Sequence, residues 1–285
     1  MSSSNGARRE PWAMWIGWVL LIGGVGHLAY GWLSGAEWTG PVSPRKPGLF
    51  GVSAGVTVWS LSWAITKLVP HRLDRVLGVS MAISLLIEVG LITTQYWRGV
   101  PSHFNRTTMI DASLEFIMMG LILWVTIGIG CLCWRSKWLR DTNQLGAVAL
   151  RGGLWLLLIS CGLGFVITVL GEINLAHGRM PEVWGRGGVL KYPHGAALHA
   201  IQTLPVLALL FEKFHVRQAV QRMQAVVAAH VFFLFHAIWQ TANGRGRWEL
   251  EWIGGGALVL AGLLLVPMMW GFVERGRDWV RKRTV

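Results

Sequence analysis

Five ionisable side chains, His27, Glu88, Glu115, His199 and His236, fall inside long apolar runs of a 285-residue chain that is only 14% charged. Imidazoles and carboxylates together make the shell that zinc or iron sites use, and zinc with an open position activates water at neutral pH. A pair of imidazoles alone, such as His199 and His236, suits the two axial positions of a haem. Carboxyls alone, Glu88 and Glu115, suit a proton-coupled transporter. Such groups are costly in hydrocarbon, roughly 2.5–3.5 kcal/mol for Asp, Lys or Arg at a helix centre on insertion scales, so as a rule they face a polar cavity, a cofactor or a partner.

The elements that carry them are long apolar stretches. A soluble domain would be nearer a quarter charged, whereas here runs long enough to span a bilayer occur near 12–34, 49–69, 76–96, 108–133, 147–171, 195–211, 224–241 and 252–273. The expected fold is an all-α integral membrane protein, a bundle of about eight transmembrane helices forming a single transmembrane domain over 1–285. The sixth run is short and holds Pro205, which marks it as kinked or extended into the preceding loop. With a rise of 1.5 Å per residue, Glu88 lies about 12 Å below the outer end of its span, Glu115 and His27 about 10 Å, and His199 and His236 about 6 to 8 Å. All five therefore fall in one half of the bilayer. Helical phase adds stripes to this layer: Ser84, Glu88 and Gln95; Asp111 and Glu115; His199 and Gln202; His236, Gln240 and Asn243. His194 and His199 project about 140° apart if one helix carries both. His230, alone among apolar neighbours, reads as a core histidine bonded to a backbone carbonyl.

Charge placement orients the bundle. Of 26 Lys and Arg residues, only Arg45, Lys46, Arg98, Arg106, Arg179, Arg186, Lys191, Arg245 and Arg247 fall on one side, which predicts both termini in the cytoplasm. The net charge of +12 is then a matter of topology and anionic headgroups, and no nucleic-acid-binding module accompanies it. The basic start, with Arg8 and Arg9, leads into an apolar run too long for a signal-peptide core and reads as an uncleaved first helix. Three cysteines, an odd count with no partner in an outer loop, argue against a disulfide scaffold. Many of the 18 tryptophans, among them Trp12, Trp97, Trp138 and Trp252, stand near span ends as an interfacial belt.

The outer loops carry more chemistry than connection requires. Residues 95–107 combine a Gly-Val-Pro turn with Gln95, Arg98, His103, Asn105 and Arg106, so His103, Arg98 and Asp111 are candidates to bind or protonate substrate. Asn105-Arg106-Thr107 also fits the N-glycosylation acceptor pattern. The loop from 171 to 194 is the longest, as lids and binding segments are. Gln95 to Gly99 is echoed by Gln240 to Arg245, which hints at a duplicated four-helix half.

The run Arg98-Gly-Val-Pro-Ser-His-Phe-Asn105 resembles one found in uncharacterised bacterial polytopic membrane proteins, which implies a multi-pass protein of the bacterial inner membrane and no activity. The chain is also similar to haem A synthase in its eight spans and histidines, while that family's glutamate–histidine signatures are missing. The leading expectation is a metal-dependent membrane enzyme, an oxidoreductase or hydrolase acting on a small-molecule or lipid substrate. Its transition metal, zinc or iron, would be held by some of His27, Glu88, Glu115, His199 and His236, on a site open to the periplasm. The alternatives are a b-type haem electron-transfer subunit, with His199 and His236 as ligands and partner subunits beside it, and a proton-coupled transporter.

Overall fold

The computed structural model describes residues 11–139 and 143–281, without the side chains of 277–281. The terminal segment with Arg8 and Arg9, and Arg140, Lys282 and Arg283, lie outside the described residues. Eight helices, each long and apolar enough to cross a membrane, account for nearly all of the described structure. The fold class is therefore that of an all-helical, multi-pass membrane protein. The chain divides into two compact units at residues 140 and 141.

The first unit holds α1 (Pro11–Ser34), α2 (Arg45–Lys67), α3 (Asp74–Trp97) and α4 (Met109–Arg135). Small residues let α1 and α2 touch backbone to backbone, as membrane helices do in the absence of a hydrophobic driving force. A Cβ added at Gly51 would lie 2.8 Å from the Gly24 Cα, and one at Gly55 would lie 2.7 Å from the Gly17 carbonyl oxygen. α3 ends where Gly99, at φ +73°, turns the chain, and α4 begins where the Thr108 hydroxyl accepts the Asp111 N–H at 3.1 Å. At the opposite end of these two helices, Arg135 pairs with Asp74 and donates to the Val69 carbonyl at 2.7 Å.

The second unit holds α5 (Gln144–Ala176), α6 (Lys191–Lys213), α7 (Ala219–Ala242) and α8 (Trp252–Arg281). A two-stranded hairpin, β1 (Val183–Trp184) with β2 (Gly188–Val189), sits in the long loop before α6. The short sixth run of the sequence is thus a full helix of 23 residues that starts above His194 and passes through Pro205, so His194 and His199 share it on different faces. Ala196, Ala197, Ala200 and Ile201 are the buried side of α6, and Gly153 of α5 packs on Ile201.

The two units repeat one plan. In each, the first helix packs on the second, the second on the third, the third on the fourth, and the first on the third. α2 and α6 both have 23 residues with a buried proline, Pro47 or Pro193, at the third position. α3 and α7 both have 24 residues, and each ends with a buried glutamine, Gln95 or Gln240, four residues ahead of a positive-φ glycine. Even the turn bonds correspond, the Val100 N–H donating to the Gln95 carbonyl at 3.1 Å and the Arg245 N–H to the Gln240 carbonyl at 2.9 Å. The echo in the sequence, Gln95 to Gly99 and Gln240 to Arg245, falls on these corresponding turns.

Candidate functional site

In the first unit the polar groups form a column along the meeting of α3 and α4. Its top is Asp111, buried and in the first turn of α4, where helix N–H groups favour a negative charge. Asp111 Oδ1 takes Gln95 Nε2 at 3.0 Å and Arg98 Nη1 at 2.7 Å, and Oδ2 takes the Thr108 hydroxyl at 2.6 Å. Arg98 also donates to Gln95 Oε1. One turn deeper, Glu115 Oε1 accepts the Phe104 N–H at 3.0 Å while Oε2 lies 3.5 Å from Arg106 Nε. The 98–108 loop is thereby drawn down over the helices.

That loop is strained where it does so. Phe104 has φ +58°, a left-handed conformation that a bulky side chain resists, at a cost of about 1–3 kcal/mol. Its bond to Glu115 offsets the strain, as does Asn105, which gives Nδ2 to the Pro101 carbonyl at 3.1 Å and accepts the Thr107 hydroxyl at 2.8 Å. Asn105 is buried in these bonds, so the glycosylation pattern marks a structural asparagine in this fold. His103 lies half-buried on the loop, with Nδ1 3.0 Å from the Ser102 hydroxyl and its ring beside Phe50.

Below the column stands Glu88, seven residues down α3 from Gln95 and on the same face. It is 6% exposed and has no hydrogen-bond or ion-pair partner among the described residues. His27, by contrast, is occupied at both nitrogens: Nδ1 is 2.8 Å from the Gly23 carbonyl, and Nε2 accepts the Trp97 indole N–H at 3.2 Å.

In the second unit the corresponding top is built around Glu251, just ahead of α8. It accepts the Trp239 indole, the Gly254 N–H at 2.9 Å, and an ion pair from Arg245 at 3.3 Å. The Gly254 N–H, with Trp239 and Arg245 behind it, holds the Glu251 carboxyl below its ordinary range despite the opposing effect of burial. His236 lies beneath, 1% exposed, with Nδ1 2.8 Å from the Gly254 carbonyl. A carbonyl can only accept, so Nδ1 carries a proton, and in the neutral ring Nε2 then keeps a lone pair. That Nε2 is buried without a partner, as is Gln240 Oε1 one turn along the same helix.

The predicted residues are thus distributed. Arg98, Asp111 and Glu115 belong to one network in the first unit, with Glu88 below it; His199 and His236 belong to the second. His236 packs beside Tyr192, two turns above His199 on α6, and His199 is exposed with Nδ1 2.8 Å from Gln202 Oε1. Equal distance from the intervening loop therefore does not bring the two imidazoles side by side. His230 has its Nδ1 2.9 Å from the Val226 carbonyl, as expected of a core histidine, and meets the Thr203 hydroxyl at 3.0 Å. Among the described residues no group of three or more His, Cys, Asp or Glu side chains is placed to hold a metal ion. Glu251 stands out in the sequence only as one of several charged groups in the 241–251 loop, although an acid directly before an apolar run is a helix-start signature, and nothing in the sequence singles out the backbone of Phe104.

No protein family, curated protein or solved structure matches the chain.

Proposed function

We propose that the protein is a proton-coupled transporter of the bacterial inner membrane, with both termini cytoplasmic and Glu88 as the group that takes up and releases the proton. One observation carries this reading: a carboxyl near the middle of a spanning helix, buried, without a partner, and aligned beneath Gln95, Asp111 and Glu115. Intramembrane carboxyls of this kind mark ion pathways. The four-helix plan common to both units supports it too, since many transporters are built from internal repeats. A mixed metal shell needs ligands the described residues do not gather.

The test is a pH jump applied to the reconstituted protein on a solid-supported membrane. Wild type gives a transient current as protons enter the site, and Glu88→Gln abolishes it while Glu115→Gln, whose carboxyl is engaged by the loop, lowers it less. An undiminished current in Glu88→Gln overturns the proposal.

A second reading, a b-type haem subunit, rests on His236 alone. Its Nδ1–H is held by a carbonyl and its Nε2 lone pair is unclaimed, the state in which imidazole binds iron. Haem there would supply one-electron chemistry, and His236 would be a residue that holds it. Purified protein would show a Soret band that His236→Ala removes, and a spectrum with no such band ends this reading. Stoichiometric zinc or iron without the band would instead restore the metal-enzyme reading.

A further inference from the structure

The geometry points to a second, inner access route to Glu88: a cavity between α1, α2 and α3 that ends just below it and is shut off from it by Met81 and Leu85. This deepens the proton reading and rests on Glu88 being the proton site. The cavity has a volume of about 30 Å³ counted as space open to the centre of a water molecule, enough for about two waters. Its lining changes character along its length. Ser62, Thr66, Asp74 and Arg75 give it a polar mouth at the end of α3 remote from the 98–108 loop, whereas Met81 and Leu85 make an apolar blind end.

Position on α3 relates that blind end to Glu88. Leu85 is three residues below Glu88, and Met81 is seven below, two turns down on the same face, with Ser84 between them. Met81 is 1% exposed, and its sulfur lies where a Cβ on Gly128 of α4 would be, so its thioether fills the gap that a small residue on α4 leaves open. Methionine is flexible and fills irregular space, which suits a plug that must move. The outer half of the route is the Asp111–Glu115 column under its loop. Glu88 therefore stands between a polar column on one side and a short, water-sized cavity on the other, with one apolar layer in the way. That arrangement is what alternating access to a single carboxyl requires: the O–H bond of Glu88 forms with a proton from the outer side, and it breaks to water in the cavity when Met81 and Leu85 move.

Two measurements test this. In a background with Cys131, Cys133 and Cys161 replaced by alanine, Ser62→Cys is expected to react with a charged, membrane-impermeant thiol reagent added from the inner face of vesicles and not from the outer face. Arg72→Cys, an exposed loop position, serves as the labelled control. Ser62→Cys unlabelled from the inner face while Arg72→Cys labels overturns the route. In liposomes, Met81→Ala is expected to raise passive proton leak several-fold, with Glu88→Gln on the same chain returning it to the wild-type level. Leu85→Ala is the substitute if Met81→Ala does not fold. A leak no higher than wild type in the folded variant also overturns the plug. The labelling reads the cavity without reference to protons, so loss of the route and loss of the Glu88 reading give different patterns: the first leaves the Glu88-dependent current intact, the second leaves Ser62→Cys labelled.

Discussion

The two units are tied at corresponding places and filled with different chemistry. In each, an arginine–carboxylate pair joins the third and fourth helices at one end, Asp74 with Arg135 in the first unit and Arg222 with Glu274 in the second. The sign is exchanged between them: the first unit puts the acid on the third helix, the second puts the arginine there. At the other end Arg98 meets Asp111, and Arg245 meets Glu251. The buried glutamine at the end of the third helix answers differently as well. Gln95 hydrogen-bonds a carboxylate across to α4, whereas Gln240 gives its Nε2 to the Glu249 carbonyl at 2.6 Å and so reads the backbone of its loop. The frame is held by charge at its rims, and the interior beneath is then free to carry either an unpartnered carboxyl, Glu88, or an unpartnered imidazole nitrogen, that of His236. The two units share the ties and differ in the buried group.

The largest effect should come from cutting the tie with the most bonds. Asp111 accepts from Gln95, Arg98 and Thr108, so Asp111→Ala strands a buried amide and frees the loop. The loss should exceed that from any other single substitution at these rims, tempered because Arg98 can swing out to solvent. Thermal melts of the detergent-purified protein would show it as a drop in Tm. Removing Arg98 as well should add little, and a fully additive double variant would mean the network is not one unit.

The next comparison is between the two turn glycines. Gly99 and Gly244 both have positive φ, but a Cβ on Gly99 meets nothing, while one on Gly244 would lie 2.8 Å from the Gly185 Cα of the hairpin loop. Gly99→Ala should therefore cost only the backbone strain, about 1 kcal/mol. Gly244→Ala adds a backbone clash to the same strain and should cost about 2–3 kcal/mol. Equal melting temperatures for the two variants would show that the hairpin yields, and that the second unit's loop is not braced in the way proposed.

How much of this could be seen in the sequence depends on the kind of signal. Hydropathy and length are local, so all eight spans were legible, and the phase of 3.6 residues per turn identified Ser84, Glu88 and Gln95 as one stripe, which the structure buries together. Packing partners are not local. Nothing in the run containing His236 says that Gly254 will face it, since that contact depends on how α7 and α8 cross. Depth counted from loops also failed to place His199 beside His236, whose ring packs by Tyr192 two turns away on α6, because an equal count from the loop does not say how the two helices cross. The repeat was half-legible: the Gln and Gly positions survive, while the ties around them have exchanged sign and side chain, so residue identity hides what helix length reveals.

The smallest expected effect separates charge from shape at the second unit's rim. The Glu251 carboxyl is held below its ordinary range chiefly by the Gly254 N–H, with Trp239 and Arg245 contributing. A carboxyl whose folded value is depressed stabilises the fold fully above its unfolded value, about 4.3 for glutamate, and loses that contribution as pH falls through the lower, folded value. Glu251→Gln keeps an oxygen for Gly254 and Trp239 but removes the charge. The variant should melt slightly below wild type at neutral pH, and the gap should close on acidification through the carboxylate range, where wild type itself becomes neutral at this position. Asp111→Ala, which removes the oxygens together with the charge, should keep a larger part of its deficit at the same acid pH. A gap for Glu251→Gln that does not change with pH would mean that the rim of the second unit is held by hydrogen-bond shape alone, and that the likeness between its Arg245–Glu251 tie and the Arg98–Asp111 tie of the first is only one of position.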